Sequence, residues 1–477
     1  MVSVPDAKIC DNPHLDELVE LLGRALDVAE DSGHFGLREE VALQLTNEAV
    51  RRRLERDLQE ISDGLGEELL VDGTRYRQHL DGEVDYHSLC GPLNSRRYTY
   101  REVGVRNGPT IVPLELAAGI VEGATPAMGY SVAHGYGESD MRRHEEMLRG
   151  AARVPPARAT LEGLAGRIGI AVRDEARRIE RVLRRAERVA DNATGVSIGL
   201  DRTAVPMEEP RPECQTPSTP RKERTKPRVR KAPPPVDVNW RMAYVGTFTL
   251  VDSDGEAVIT RRYTATPNEE PKDLLQRIMA DLRNALRQDP ALHLGVLQDG
   301  APELWNLVRE ALEAEPLVSR WDEGIDIYHL YEHLGTALKL IESNKAERKA
   351  TMARCKQMLR EHDGAIDVIE IQLLESYFTL SPAKASELWE ELVYIRNNKD
   401  RMRYARLRRR GLPLGSGITE GACKSVIGRR AKGCGQRWHE QGLGGALTLR
   451  AIHRSDRLPR FWRSFSRLYT ARIEAVA

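Results

Sequence analysis

The stretch Val196-Ser-Ile-Gly-Leu-Asp201 decides the fold that the sequence predicts. Its apolar residues alternate, which indicates a half-buried β-strand, and the strand runs directly into an aspartate. The stretch Leu292-His-Leu-Gly-Val-Leu-Gln-Asp299 repeats this form, since an apolar strand again leads into an aspartate. Two further strands are predicted between these stretches, over residues 242–250 and 257–263.

The order of the predicted elements indicates the fold class. A helix over about 271–287 follows the third strand, and another helix precedes Ile325-Asp326-Ile327, which is predicted as a short fifth strand. The order β-β-β-α-β-α-β is the layout of a ribonuclease-H-like core, in which an antiparallel hairpin precedes parallel strands. Residues 330–410 show helical apolar spacing without a strand signal. The sequence therefore predicts an α+β multidomain protein whose ribonuclease-H-like core is interrupted by an all-α insertion.

At 477 residues the chain is too long for one compact core. Leucines at helical spacing mark the N-terminus, while Asp72-Gly73, Asp81-Gly82 and the alternation around Tyr98 and Tyr100 predict a small sheet with a basic, aromatic face. Both regions are predicted to bind DNA.

The predicted domains are an N-terminal helical region (1–66), a small antiparallel β region (67–130), a helical region with a candidate helix-turn-helix and a linker (131–192), the core (193–343), the helical insertion (344–410), and the closing helix of the core with Glu420 and a basic C-terminal region (411–477). Many helix pairs resemble a helix-turn-helix, so that motif alone is a weak signal.

Charge is balanced over the whole chain but not locally. Lys+Arg and Asp+Glu each number 72, whereas residues 401–463 hold 16 basic residues against Glu420, Glu440 and Asp456. Such an excess indicates a polyanionic partner, most simply nucleic acid, and the alternative is a set of solvated helix faces. The proline-rich basic segment 207–239 is predicted to be an extended loop that either contacts DNA phosphates or acts as a passive linker.

Composition also limits the cellular setting. The six cysteines form no CxxC pair, and the longest apolar run is far too short to cross a membrane. No secretory signal is evident at the N-terminus. We expect a cytoplasmic protein, associated with the nucleoid, with no membrane contact.

Three acidic residues occupy comparable places in the predicted core. Asp201 ends the first strand, Asp299 ends the fourth, and Glu420 lies in the first turn of a late helix. In a ribonuclease-H-like core these points converge at one sheet edge, where clustered carboxylates repel unless divalent cations bind. Oxygen ligands favour two Mg²⁺ (or Mn²⁺) ions suited to phosphodiester chemistry. Taken singly, the aspartates could cap turns, and Glu420 could be a first-turn acid paired with Lys424.

The motifs around these acids resemble those of a known family. The sequences Leu200-Asp201-Arg-Thr-Ala-Val-Pro-Met207, Leu297-Gln-Asp299-Gly-Ala301, Asp326-Ile-Tyr-His329 and Leu414-Gly-Ser-Gly-Ile-Thr-Glu420-Gly-Ala-Cys-Lys424 are similar to those of the acidic-triad (DDE) transposases of bacterial insertion sequences. The nearest resemblance is to the ISKra family, which carries a helical insertion between its second Asp and its Glu. The resemblance implies that Asp201, Asp299 and Glu420 are the catalytic and metal-binding residues.

The resemblance further implies an enzyme, a Mg²⁺-dependent DNA transposase with endonuclease activity. It would bind the ends of an insertion sequence, cleave phosphodiesters and transfer DNA strands. Its partners would be double-stranded DNA of the element ends and of the target. Because two ends are joined, we expect a homodimer or higher oligomer on DNA.

Accessory residues are predicted around this site. His329 would contact the scissile phosphate or Asp326 would orient a metal-bound water; alternatively, His329 caps the helix that begins there. The residues predicted to contact DNA follow Glu420: Lys424, Arg429, Arg430, Lys432, Arg437 and Trp438. Trp438 would meet a base, or it fills the core, which is the commoner place for a tryptophan after a turn.

Two alternative functions remain from the sequence. One is a ribonuclease-H-like nuclease without strand transfer, and the other is a transposase-derived DNA-binding repressor with an idle site. The three acids are all present, which disfavours the repressor. They do not separate nuclease from transposase, although the N-terminal sheet and candidate helix-turn-helix favour recognition of specific DNA ends.

Overall fold

The structure, a computed structural model, describes residues 12–28, 35–210, 236–299 and 301–476. It is a mixed α+β protein, and its described residues form two five-stranded sheets. The chain divides into two compact units, one of Met1–Leu183 with Thr448–Ala477 and one of Arg184–Leu447. None of the described helices is both long enough and apolar enough to cross a membrane.

The N-terminal part of the chain passes from helices into a sheet and back to helices. Its elements are α1 (Leu15–Val28), α2 (Phe35–Asp63), β1 (Glu68–Val71), β2 (Thr74–Ser88), β3 (Gly91–Glu102), β4 (Thr110–Ile111), α3 (Pro113–Ala118), α4 (Pro126–Glu138), α5 (Met141–Gly150) and α6 (Arg158–Ala186).

The remainder supplies the second sheet, a run of helices and one last short strand. Its elements are β5 (Gly195–Pro210), β6 (Val236–Val251), β7 (Ala257–Ala265), α7 (Pro271–Gln288), β8 (His293–Gln298), α8 (Pro302–Glu313), β9 (Asp322–Ile325), α9 (Ile327–Ile341), α10 (Lys345–Glu361), α11 (Ala365–Tyr377), α12 (Pro382–Asn398), α13 (Tyr404–Arg409), α14 (Gly417–Ala422), α15 (Arg429–Ala431), α16 (Glu440–Arg454), α17 (Leu458–Ser466) and β10 (Ile473–Ala475). A π-helical turn, Cys423–Gly428, joins α14 to α15.

The first sheet has the order β10-β1-β2-β3-β4 and is antiparallel. The predicted turn at Asp72-Gly73 is present, with φ of 48° and 84° at the two residues. The predicted turn at Asp81-Gly82 is wrong, because both residues pair within the β2–β3 ladder and the chain turns at residues 89–90 instead. The longer ladder pairs Tyr86 with Leu93, and both side chains are buried. A turn at Gly82 would have left that apolar surface in water.

Several arginines of this sheet are paired with acids, including Arg97 of the predicted basic face, which binds Glu115. Arg75 and Arg77 both bind the carboxylate of Glu68. Tyr100 is fully buried. At these positions the surface is ion-paired, so it offers less net positive charge than the sequence alternation indicates.

The second sheet has the order β7-β6-β5-β8-β9. β5, β6 and β7 pair antiparallel, whereas β8 and β9 run parallel to β5. The alternating side chains Val196, Ile198 and Leu200 are buried in one apolar core with Leu274 and Ile278 of α7. This is the order of strands and connecting helices that the sequence predicts.

Two details of this sheet differ from the sequence prediction. The β5–β6 hairpin continues to Pro210 and Val236, so the ends of the predicted loop 207–239 are strand, and residues 211–235 lie outside the described residues. The fifth strand ends at Ile325, and Asp326 is the N-cap of α9 rather than a strand residue. Its carboxylate can accept two backbone N–H groups there, which a strand could not offer it.

The helices α10 to α13 occupy the segment predicted as an all-α insertion, and their apolar residues share a core with α9. Their packing also changes the meaning of the basic C-terminal sequence. Arg406 and Arg410 bind Asp322, and Arg401 binds Glu323. The excess of positive charge along residues 401–410 is thus reduced by acids that are distant in sequence and near in space. The run of basic residues in the sequence therefore overstates how positively charged the surface of this region is.

Candidate active site

Asp201 and Asp299 occupy equivalent positions on neighbouring parallel strands. Ile198 of β5 pairs with Val296 of β8, and their residue numbers differ by 98, as do those of Asp201 and Asp299. Each aspartate comes three residues after this last pair, Asp201 still within β5 and Asp299 directly after the end of β8. Neighbouring strands lie about 4.8 Å apart, so the two aspartates are neighbours at the sheet edge. Asp201 does not end its strand as predicted, since β5 continues beside β6.

The same register places Asp326 third in this row. Gln298 of β8 pairs with Ile325 of β9, and Asp299 and Asp326 each follow directly. The row of three aspartates therefore runs across the ends of the parallel ladder, where β8 and β9 stop.

Glu420 is held near the row by the close packing of α14 on the sheet. The hydroxyls of Thr419 and Thr247 of β6 lie 2.8 Å apart in the protein interior. Gly199 of β5 has no side chain to hinder this approach, since a Cβ there would lie 2.2 Å from Thr419 Oγ1. Glu420 follows Thr419 directly. Its position therefore depends on the Thr419–Thr247 hydrogen bond and on the space that Gly199 leaves for the Thr419 side chain.

The three carboxylates interact electrostatically. Burial raises the pKa of Asp201, and the negative charges of Asp299 and Glu420 raise it further, against bonds from the Arg202 N–H and the Cys423 thiol. Neighbouring negative charges disfavour the ionised form of a carboxyl group, so Asp299 and Glu420 act in the same direction as burial. Asp299 and Glu420 thus lie near enough to Asp201 to affect its pKa, and the catalytic role of the three acids stays a prediction.

Cys423 is a neighbour that the sequence analysis did not connect with the site. Burial and the adjacent Asp201 raise the pKa of Cys423 to about 12. Its thiol is therefore protonated at neutral pH and donates to Asp201. The sequence signal that could have identified Cys423 is its spacing. It lies three residues after Glu420, which places the two residues on the same side of a helix.

The donor chemistry of the three acids fits Mg²⁺ or Mn²⁺, since carboxylate oxygens are the ligands that these cations prefer. Asp201 Oδ1 accepts the N–H of Arg202 at 2.7 Å, and Asp299 Oδ1 accepts that of Ala301 at 3.3 Å. Across residues 12–28, 35–210, 236–299 and 301–476, no group of three or more His, Cys, Asp or Glu side chains is close enough together to hold an ion. The acids are neighbours, but their carboxylates are not gathered around one point.

Asp326 makes four hydrogen bonds and is 3% exposed. Its Oδ1 accepts the N–H groups of Tyr328 at 2.6 Å and His329 at 3.0 Å. Its Oδ2 accepts the N–H of Ser416 at 2.5 Å and the hydroxyl of Ser416 at 3.0 Å. These contacts hold the Asp326 carboxylate inside the protein, and its orientation of a metal-bound water stays a prediction.

His329 is 49% exposed, and its Nδ1 lies 3.8 Å from Glu332 on the same helix. One alternative predicted from the sequence is that His329 caps α9. Asp326 is the cap, and His329 supplies one of the capped N–H groups.

The residues predicted to contact DNA separate into exposed and buried sets. Four are exposed at the surface of the second unit: Lys424, Arg429, Lys432 and Arg437. Lys424 binds Glu420 at 3.4 Å, and Lys432 binds Thr203 of β5. The Lys424 ammonium group therefore lies next to the Glu420 carboxylate, and the Lys432 ammonium group lies next to β5, the strand that bears Asp201.

Arg430 and Trp438 are both buried, which differs from the DNA contact predicted for Arg430 and agrees with the core position considered for Trp438. The Arg430 guanidinium lies 4.6 Å from the centre of the Trp438 ring, and Trp438 Nε1 donates to the carbonyl of Ala431 at 3.1 Å. The Trp438 backbone N–H donates to the carbonyl of Pro206 on β5. Trp438 is thus a core residue that fixes the segment after α15 to the β5 edge, and it does not present its ring to a base.

No protein-family model matches the chain, and no curated protein matches it. Among solved structures, one similarity is to the Mos1 transposase paired-end complex with left transposon end. It has 13% identity and a TM-score of 0.16, and covers 57% of this chain and 74% of that chain. A TM-score this low does not establish a shared fold.

Proposed function

We propose that the chain is a DDE transposase with a ribonuclease-H-like core in its second unit. The observation that supports this proposal is the electrostatic interaction of Asp201 with Asp299 and Glu420, together with the close packing of α14 against β6. The strand order β7-β6-β5-β8-β9 supports the core, since it combines an antiparallel hairpin with parallel strands in the predicted sequence.

The proposed reaction is hydrolysis of a phosphodiester at the end of an insertion sequence. Water attacks the phosphorus, the 3′ oxygen leaves, and the freed 3′ hydroxyl then attacks a phosphodiester of target DNA. Asp201, Asp299 and Glu420 would hold two Mg²⁺ (or Mn²⁺) ions, which supply Lewis-acid stabilisation of the attacking and leaving oxygens. No covalent protein intermediate is required.

The chain's own residues would prepare the site for this chemistry. The Cys423 thiol stays protonated and donates to Asp201, which orients that carboxylate. Lys424 binds Glu420 from the solvent side and is exposed enough to meet a phosphate instead. Arg429 and Arg437 are exposed on the same C-terminal segment and would contact the DNA backbone. The partner is accordingly double-stranded DNA, and joining two ends implies two or more copies of the chain.

The test is to incubate the full chain with Mg²⁺ and a supercoiled plasmid that carries the genomic DNA flanking its gene. We expect cleavage at defined ends and joined products, both abolished by EDTA. Asp299→Asn should abolish cleavage and retain DNA binding, because it removes a ligand charge with little change of shape. Asp254→Asn is the matched control, since Asp254 is an exposed turn residue of the same unit. Cleavage by Asp299→Asn at the rate of the control would refute the assignment.

The same experiment separates the transposase from the nuclease that the sequence leaves open. Both would use the three acids, so the triad does not distinguish them. Joined products indicate strand transfer, whereas scattered nicks without joining would replace the proposal by a nuclease.

A further inference from the structure

The loop before α14 makes two hydrogen bonds to the carboxylate of Asp326 and one to the backbone of the next residue. The N–H of Ser416 donates to Asp326 Oδ2 at 2.5 Å, and the Ser416 hydroxyl lies 3.0 Å from the same oxygen. In addition, the N–H of Ile327 donates to the carbonyl of Leu414 at 3.1 Å. The start of α9 and the start of α14 are therefore joined at backbone level.

Ser416 also contacts Glu420. Its hydroxyl lies 3.1 Å from Glu420 Oε1, and its carbonyl accepts the Glu420 N–H at 2.9 Å. A hydroxyl has one hydrogen, so it donates to one of the two carboxylates at a time. The backbone N–H of Ser416 meanwhile keeps Asp326 Oδ2 satisfied.

The use of this serine departs from ordinary helix capping. Ser416 is the N-cap residue of α14, where a serine side chain normally accepts an N–H from the first turn. It makes no such bond, and its hydroxyl is directed at the two carboxylates instead. The helix that carries the proposed catalytic acid therefore lacks the stabilisation that a side-chain N-cap bond provides.

Gly415 shows that the approach to Asp326 is close. A Cβ at this position would lie 2.9 Å from Asp326 Oδ2 and 3.4 Å from the Tyr328 ring. Only glycine lets the loop come near enough for the Ser416 bonds without displacing the buried carboxylate.

We infer that Asp326 and Ser416 are positioning residues, which together fix the carboxylate of Glu420 relative to Asp201 and Asp299. Asp326 anchors the loop, and Ser416 transmits that position to Glu420 through one hydroxyl and one backbone carbonyl. This inference rests on the proposed function. It gives Asp326 a positioning role, which differs from the orientation of a metal-bound water that the sequence predicts for it.

The experiment compares the full chain with Ser416→Ala, Ser416→Thr, Asp326→Asn and Glu420→Gln. Mn²⁺ binding is measured by titration calorimetry, cleavage of the flanking-DNA plasmid is measured in parallel, and urea unfolding reports stability. Ser381→Ala is the matched control for serine, because Ser381 is the N-cap of α12 and also makes no side-chain capping bond. Asp140→Asn is the control for aspartate, since Asp140 caps α5 through the N–H of Arg143.

We expect Ser416→Ala to weaken Mn²⁺ binding and slow cleavage by about 10- to 100-fold, the range typical when a residue that orients a metal ligand is lost. Ser416→Thr, which keeps the hydroxyl, should recover most of both. Asp326→Asn should behave as Ser416→Ala does, because the amide presents a donor to the Ser416 N–H. A purely structural role would lower the urea midpoint and leave Mn²⁺ affinity unchanged in the folded fraction, and that result would overturn the inference.

Failure of the inference and failure of the proposed function give different results. If Glu420→Gln loses cleavage and Mn²⁺ binding while Ser416→Ala and Asp326→Asn keep both, the inference alone is overturned. If Glu420→Gln cleaves normally, or if the unaltered chain binds no Mn²⁺, the proposed function is overturned and the inference falls with it.

Discussion

Replacing Gly199 by alanine tests the packing that brings Glu420 to the two aspartates. The new methyl group would lie 2.2 Å from Thr419 Oγ1 and 2.5 Å from the carbonyl oxygen of Leu297. Thr419 can rotate away, but the Leu297 carbonyl belongs to the β8 backbone and cannot. Either α14 or the β5–β8 pairing must therefore shift.

The expected cost has two parts. Overpacking a tight interior typically costs about 1–3 kcal/mol. Rotation of Thr419 also breaks its buried hydrogen bond to Thr247, which contributes about 1 kcal/mol. The sum is about 2–4 kcal/mol, and because each 1.4 kcal/mol is a factor of ten, local opening of α14 should become about 30- to 700-fold more frequent.

Hydrogen–deuterium exchange followed by mass spectrometry measures this opening in peptides that cover α14 and β5. We expect faster exchange in Gly199→Ala and a cleavage rate reduced together with it, because Glu420 moves with its helix. Gly421→Ala is the matched control, since a Cβ at Gly421 meets nothing within 4 Å. Alanine should stabilise α14 there by up to about 1 kcal/mol.

Unchanged exchange in Gly199→Ala would refute this reasoning. It would mean that Thr419 does not lie against β5, and the position of Glu420 beside the aspartates would then lose its support. Slower exchange in Gly421→Ala alone would not rescue it, because that substitution tests only helix propensity.

Three further predictions concern charge. Asp201→Asn should raise the melting temperature of the cation-free chain, because burial and neighbouring acids raise the pKa of Asp201 and so disfavour its charged form; a lower value in differential scanning calorimetry would contradict this. Burial lowers the pKa of His144, whereas the unfolded residue binds its proton near about pH 6.5, so this contribution to stability is present above that pH and is lost as the pH falls. The urea midpoint should accordingly drop between pH 7.5 and pH 5.5, and His144→Gln should reduce the drop; an equal drop in that variant would exclude His144 as the cause. Arg429→Gln should lower the log–log salt slope of DNA binding by about one unit, whereas Arg430→Gln should lower stability and leave the slope unchanged, since Arg430 is buried; a larger change of slope for Arg430 would reverse the assignment of the exposed and buried cations.

Much of the second unit could be predicted from sequence because its signals are local. The alternation of Val196, Ile198 and Leu200 reports a strand whatever the rest of the chain does. The prediction was less good where a longer-range contact decided the outcome. Asp81-Gly82 has the composition of a turn, yet the pairing of Tyr86 with Leu93 continues the ladder past it.

The charge pattern shows the same limit. Arg401, Arg406 and Arg410 belong to a strongly basic stretch of sequence, and each binds an acid of β9 in the folded chain. Arg430 and Trp438 looked like neighbours on a DNA-facing segment, and they are buried against each other. Composition counts every charged residue along the chain, whereas a binding partner contacts only the charged side chains that remain exposed after folding.

Local patterns in the sequence were enough to predict the strands of the core, and Asp201, Asp299 and Glu420 were selected by their places near those strands and in a late helix. Hydrophobic periodicity is a property of a few consecutive residues, so it survives without knowledge of the fold. Only the tertiary structure decided that Asp326 joins the row, that Ser416 links it to Glu420, and that Cys423 meets Asp201. Strand register and the closeness of α14 to β5 arise from contacts between segments that are distant along the chain, and no local pattern encodes such contacts.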